Sequence, residues 1–182
     1  MPFVDPTAAG AVVAAVNDNS AAYDLVLLAH VLAALVGIAA VLAAGGFALS
    51  LRNALGRDGP LPETLVRYYR PGVNRVGRVL FAVPVLGIAL MVMSRGQWSW
   101  SDAWISSGMA GWAAVALAAE AALWPDERQL QVAVAGRGAS AGPDGGAGPT
   151  GDASGLCLRV GLTALGCAVA LVATVALMVA KP

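Results

Sequence analysis

The chain has 182 residues, 58% of them hydrophobic and only 12% charged, with a mean hydropathy of +0.72. Soluble domains carry about a quarter charged residues, so this composition excludes an ordinary water-soluble domain and points to a membrane. Eleven basic and eleven acidic residues cancel, which excludes a globally basic nucleic-acid binder and makes the placement of charge the informative quantity.

Residues 1–22 contain no lysine or arginine, so the positively charged start of a secretory leader is missing and an uncleaved extracytoplasmic tail is expected. Within it Ala8–Val16 is too short to span, and Asn17, Asp18, Asn19 and Ser20 read as a capping or turn cluster. Leu25–Leu51 then runs without a formal charge, and His30 is its only ionisable side chain. About 20 apolar residues at 1.5 Å each cross a hydrocarbon core of about 30 Å. The run is apolar on every side, so it predicts a transmembrane helix and not the one-sided helix of a soluble protein.

Arg52–Arg75 holds five arginines. Its Pro62–Arg70 piece has Pro62 in the first turn of a short helix, Leu65, Val66 and Tyr69 on one side, and Arg67 and Arg70 facing water, a pattern for a helix lying on the membrane surface or, equally, for a solvated loop helix with no other role. A second span is expected over Val76–Ser94, kinked at Pro84, which removes one backbone donor. Trp98, Trp100 and Trp104 follow as an interfacial aromatic belt. The third span, Ala103–Trp124, has Gly108 and Gly111 for close helix approach, Glu120 as its one charge, and Pro125 as its stop. Residues 126–155 are dominated by small and polar types from Gln131 onward and are predicted to be a disordered cytoplasmic loop. The fourth span is Leu156–Ala180, with small residues every fourth position at Gly166, Ala170 and Thr174.

With four spans, only Arg95 and Lys181 of the eleven basic residues fall on one side, leaving nine on the other. Basic residues stay cytoplasmic, so the chain is read as a multi-pass protein of the bacterial cytoplasmic membrane with both termini outside. The fold class is an all-α membrane protein, a four-transmembrane-helix antiparallel bundle whose crossings are set by small residues.

Two sets of residues could carry chemistry. Glu120 lies near the cytoplasmic end of span three at the depth of Arg78 and Arg159. An Arg78–Glu120 or Arg159–Glu120 ion pair, a snorkelling carboxylate, or an ion-carrying carboxylate are the three readings. His30, the sole histidine, sits two turns inside the outer end of span one with Ala33, Ala34, Gly37 and Val41 as helical neighbours. Counting inward on the other spans reaches Met91, Ser107, Met109, and Thr174 or Met178 at comparable depth. Imidazole with thioether can ligate haem iron or copper, while a hydrogen-bonded histidine among methionine filler is the plainer alternative. Cys157 and Cys167 stand about 15 Å apart along one helix, too far to bridge, and read as packing residues. Hydrolase, nucleotide and dinucleotide patterns are missing, which favours a non-catalytic protein, an accessory or assembly subunit of a larger membrane complex.

The run LLAHVLAALVGIAA, with His30 followed by Gly37, resembles the opening of several bacterial multi-span families. In length and span number the chain is similar to a family of four-helix integral membrane proteins of unknown function. CopD-type copper proteins and HemJ-type haem-pathway proteins are similar in this first segment. The resemblance to the haem-linked relatives implies His30 as an axial ligand of haem b, while copper at His30, with Met91 and Met109 as candidate partners, rests on the depth count above. A small ion-coupled transporter built on Glu120 is the remaining alternative.

Overall fold

The computed structural model describes residues 6–57, 59–72, 76–139 and 150–180, with side chains at 21–57, 59–72, 76–137 and 153–180. Its regular structure is helical throughout. Helix α1 is Pro6–Leu55 and α2 is Glu63–Tyr68. A 3-10 helix, Gly77–Phe81, runs into α3, Ala82–Met93. Helix α4, Ala103–Ala118, passes through a π turn, Ala119–Leu123, into α5, Trp124–Ala139, and α6 is Thr150–Ala180. Three stretches are long and apolar enough to cross a membrane, Ala21–Leu55, Ala103–Arg137 and Ala153–Ala180, and Gly77–Met93 is a shorter apolar helix.

The apolar side chains of these helices divide between a buried face and an exposed one. Ala33, Val41, Ala44, Ala48 and Leu51 of α1 are buried, whereas Leu25, Leu28, Leu35 and Leu42 are exposed. Alanines dominate the buried face, with Val41 and Leu51 beside them, and most of the leucines face outward; small residues let helix backbones approach closely. Gly37 of α1 lies against Leu80, Gly45 against Ala164 and Gly161, Gly108 against Met178, and Gly111 against Thr174. These pairings run α1 antiparallel to α3 and to α6, and α4 antiparallel to α6. Cys157 and Cys167 are both free and buried on α6, in keeping with the packing role expected of them.

Pro84 is accommodated by a change of helix type. The carbonyl of Leu80, four residues back, cannot receive a proton from proline, and the indole Nε1 of Trp112 donates to it at 3.0 Å. The backbone meanwhile turns as a 3-10 helix up to Phe81, so Pro84 falls in the first turn of α3, where a missing donor costs little. The 3-10 residues rise about 2.0 Å each and the α residues 1.5 Å, which stretches Gly77–Met93 to about 28 Å.

Two boundaries and the packing of one short helix differ from the sequence expectation. Helix α1 passes through Asn17–Ser20 without a break, since these residues lower helix propensity by only tenths of a kcal/mol each. Pro125 does not end the third span. It enters the first turn of α5, so part of the 126–155 loop is helical, with Leu130 and Val134 buried; residues 140–149 lie outside the described residues. In α2, Leu65 and Tyr69 are buried and Val66 is 48% exposed, so this helix docks on the bundle end, with Tyr68 stacked on Phe47 at 3.9 Å.

Candidate functional site

The helices bring two groups of polar and aromatic side chains together, one at each end of the bundle. At the end bearing Trp98, Trp100 and Trp104, helices α1, α3, α4 and α6 enclose a cavity of about 360 Å³. His30, Met91 and Met109 line it together, as do Thr174 and Met178; Ser107 does not. Trp112, one turn deeper on α4, and Tyr23 also line it, and neither stood out in the sequence. Trp98 and Trp104 meet edge to face at 5.2 Å. No lysine, arginine, aspartate or glutamate is among the lining residues.

His30 is held at one ring nitrogen. Its Nδ1 lies 2.9 Å from the carbonyl oxygen of Val83, and a carbonyl only accepts, so Nδ1 carries the proton. In the neutral ring Nε2 is then the acceptor, the atom a metal ion or a ligand hydroxyl would meet. Gly87, one turn on from Val83, faces the ring: a Cβ there would stand 3.4 Å from Cε1 of His30, in contact with it. Thr174 donates its hydroxyl to the Ala170 carbonyl at 2.8 Å and so is satisfied within its own helix. Leu27, Ile88 and Val175 line the cavity while remaining 40%, 42% and 42% exposed, so part of its wall reaches the surface of the bundle.

The donor set suits copper and haem differently. One imidazole and three thioethers suit a soft ion such as Cu(I). A haem would find an axial donor, but its two propionates would meet no cation in the lining, so these residues do not fit haem as a whole.

At the opposite, arginine-rich end the charges pair differently from the sequence expectation. Arg159 forms a two-point salt bridge with Asp126, not with Glu120. The guanidinium of Arg78 lies over the Trp124 ring at 5.7 Å from its centre. Glu120 is exposed on the π turn, the placement expected of a snorkelling carboxylate. Asp126 and Glu127 are both buried, one turned to α6 and the other to α2, where Tyr68 donates to Glu127 at 3.0 Å. The run Trp124-Pro125-Asp126-Glu127 carried a helix-start signature, proline followed by acidic residues in the first turn, that would have revealed α5. Among the described residues no group of three or more His, Cys, Asp or Glu could hold a metal ion.

Tyr69 is 1% exposed, and its hydroxyl has no hydrogen-bond partner. Leaving a buried donor unmade costs about 1–3 kcal/mol, whereas a satisfied one contributes about 1 kcal/mol. Tyr69→Phe is therefore expected to raise the thermal unfolding midpoint, and Tyr68→Phe to lower it; the reverse order would show that the Tyr69 hydroxyl is satisfied. Burial first, then Glu127, pushes the Tyr68 phenol above its ordinary value. Burial, then Tyr68, Cys157 and Glu127 in that order, does so for Tyr69. Raised acids stabilise the fold fully below their unfolded value of about 10 and lose that contribution as pH climbs. Phenolate absorbance is expected to show a late alkaline phase that disappears when both residues are changed to Phe.

The chain matches no family model, no curated protein and no solved structure, and the cavity's chemistry therefore rests on its own residues.

Proposed function

We propose that the chain is a non-catalytic protein of the bacterial cytoplasmic membrane with four crossings, the arginine-rich end cytoplasmic and both termini outside. It works by binding: the tryptophan-end cavity holds a small molecule taken from the bilayer, with His30 as its polar contact. The observation that carries this is the acceptor nitrogen of His30 in a cavity lined mainly by apolar side chains and tryptophans, with Tyr23 and Thr174 as the other polar residues of the lining. Gly77–Met93 counts as the fourth crossing because its mixed helix type gives it nearly the reach of the hydrocarbon core. Carrying a membrane-soluble molecule is a task that an accessory subunit performs for a larger complex, and co-purification from native membranes would reveal that complex.

The test is saturable binding of a lipophilic ring probe to the purified full chain, read by tryptophan emission. Gly87→Leu, which fills the space beside His30, is expected to weaken binding at least tenfold, and Gly46→Leu, where a side chain meets open space, to leave it unchanged. Binding that is absent, or indifferent to both substitutions, overturns the proposal. Copper is a second reading, favoured by the three thioethers that line the same cavity as the imidazole. It expects anaerobic Cu(I) to bind against a competing chelator and to be lost in His30→Ala and in Met91→Ala. A transport role for Glu120 has less support, because Glu120 is not among the lining residues; Glu120→Gln is expected to leave ligand binding unchanged.

A further inference from the structure

Resting on the reading of the cavity as a binding site, we infer that its ligand is a lipid-soluble phenol, uncharged, whose hydroxyl donates to Nε2 of His30. The tautomer decides the polar contact. Val83 claims the Nδ1 proton at 2.9 Å, so the free nitrogen of the neutral ring can only accept, and the ligand must bring the proton. Against Nε2 a quinone, ester or ketone offers only another acceptor and makes no hydrogen bond with His30.

Charge decides what the ligand lacks. The lining holds no acidic or basic side chain, so a carboxylate, phosphate or ammonium would be buried without a counter-ion at membrane depth. That excludes phospholipid head groups, amines and the propionates of haem. The rest of the lining fits a ring: Trp98, Trp104 and Trp112 supply aromatic faces and edges, and Met91, Met109 and Met178 supply polarisable sulfurs that pack on aromatic rings. The part-exposed wall residues Leu27, Ile88 and Val175 are all apolar, which suits a molecule that partitions into lipid.

The experiment compares 4-octylphenol with its methyl ether, which has the same ring and tail but no donor, against the full chain in nanodiscs, by tryptophan emission. The phenol is expected to bind about tenfold more tightly, and His30→Phe to bring the phenol to the level of the ether without moving the ether. A second readout needs no variant: with one histidine in the chain, the ¹⁵N signal of Nε2 stands alone and is expected to shift with the phenol and not with the ether. Equal binding of the two probes, or an unmoved Nε2 signal under saturating phenol, overturns this inference while the cavity reading stands. If neither probe binds, both fall.

Discussion

Gly45→Leu is expected to cost more than about 3 kcal/mol, while Gly46→Leu, one residue along the same helix, changes stability by well under 1 kcal/mol. A Cβ at Gly45 would lie 2.9 Å from the Cβ of Ala164 and 3.6 Å from the carbonyl oxygen of Gly161, whereas one at Gly46 meets nothing within 4 Å. The neighbour at Gly45 is the backbone of α6 and a methyl group fixed to it, so relief requires the two helices to separate. Separation would loosen contacts along the whole α1–α6 seam, including Gly161 against Leu49. The helix-propensity gain from replacing glycine is at most about 1 kcal/mol, too small to offset a clash of this kind. Thermal unfolding of the two variants in the same detergent checks the contrast, and equal midpoints would show that the α1–α6 seam is not packed as described.

Arg159→Leu is expected to lower the unfolding midpoint by about 10 °C, and Asp126→Leu by clearly less. The salt bridge is lopsided: the side chain of Arg159 is 64% exposed and that of Asp126 1%. Losing the arginine strands a carboxylate in the interior, whereas losing the aspartate leaves a guanidinium that already reaches solvent or head groups. The double replacement by leucine is expected to recover most of the loss, because a buried ion pair is worth little against a packed apolar pair of similar size. If the two single variants fall equally, or the double variant falls by their sum, the carboxylate is not held in place by Arg159.

The long apolar runs were legible in the sequence because lipid imposes a length and a composition that few other environments share. Leu25–Leu51 and Leu156–Ala180 each lie inside a helix long enough to cross, though the α1 helix begins far upstream at Pro6. Depth along a helix can also be counted, since every α residue rises by the same step, and this is why His30, Met91, Met109 and Met178 meet at one cavity. Azimuth cannot be counted as safely. Ser107 has the right depth and the wrong face, and Trp112, a turn deeper, lines the cavity. Glu120 shows the same limit. Its depth matched Arg159, but the π turn Ala119–Leu123 inserts an irregular step, and Asp126, beyond that turn, is the residue that meets the arginine. Pro125 read as a stop because proline removes a donor, yet in the first turn after an irregular segment that donor is not needed.

The membrane topology is tested most directly by single cysteines at Arg57 and Gln97, in a chain where Cys157 and Cys167 have been replaced by serine, challenged with a membrane-impermeant maleimide on intact cells. Four crossings require the two positions to lie on opposite faces, because Gly77–Met93 stands between them. The expected result is labelling at position 97 in intact cells and at position 57 only after permeabilisation. Labelling of both positions from the same side would mean that Gly77–Met93 does not cross, and the four-helix arrangement around the His30 cavity could not stand in the bilayer as proposed.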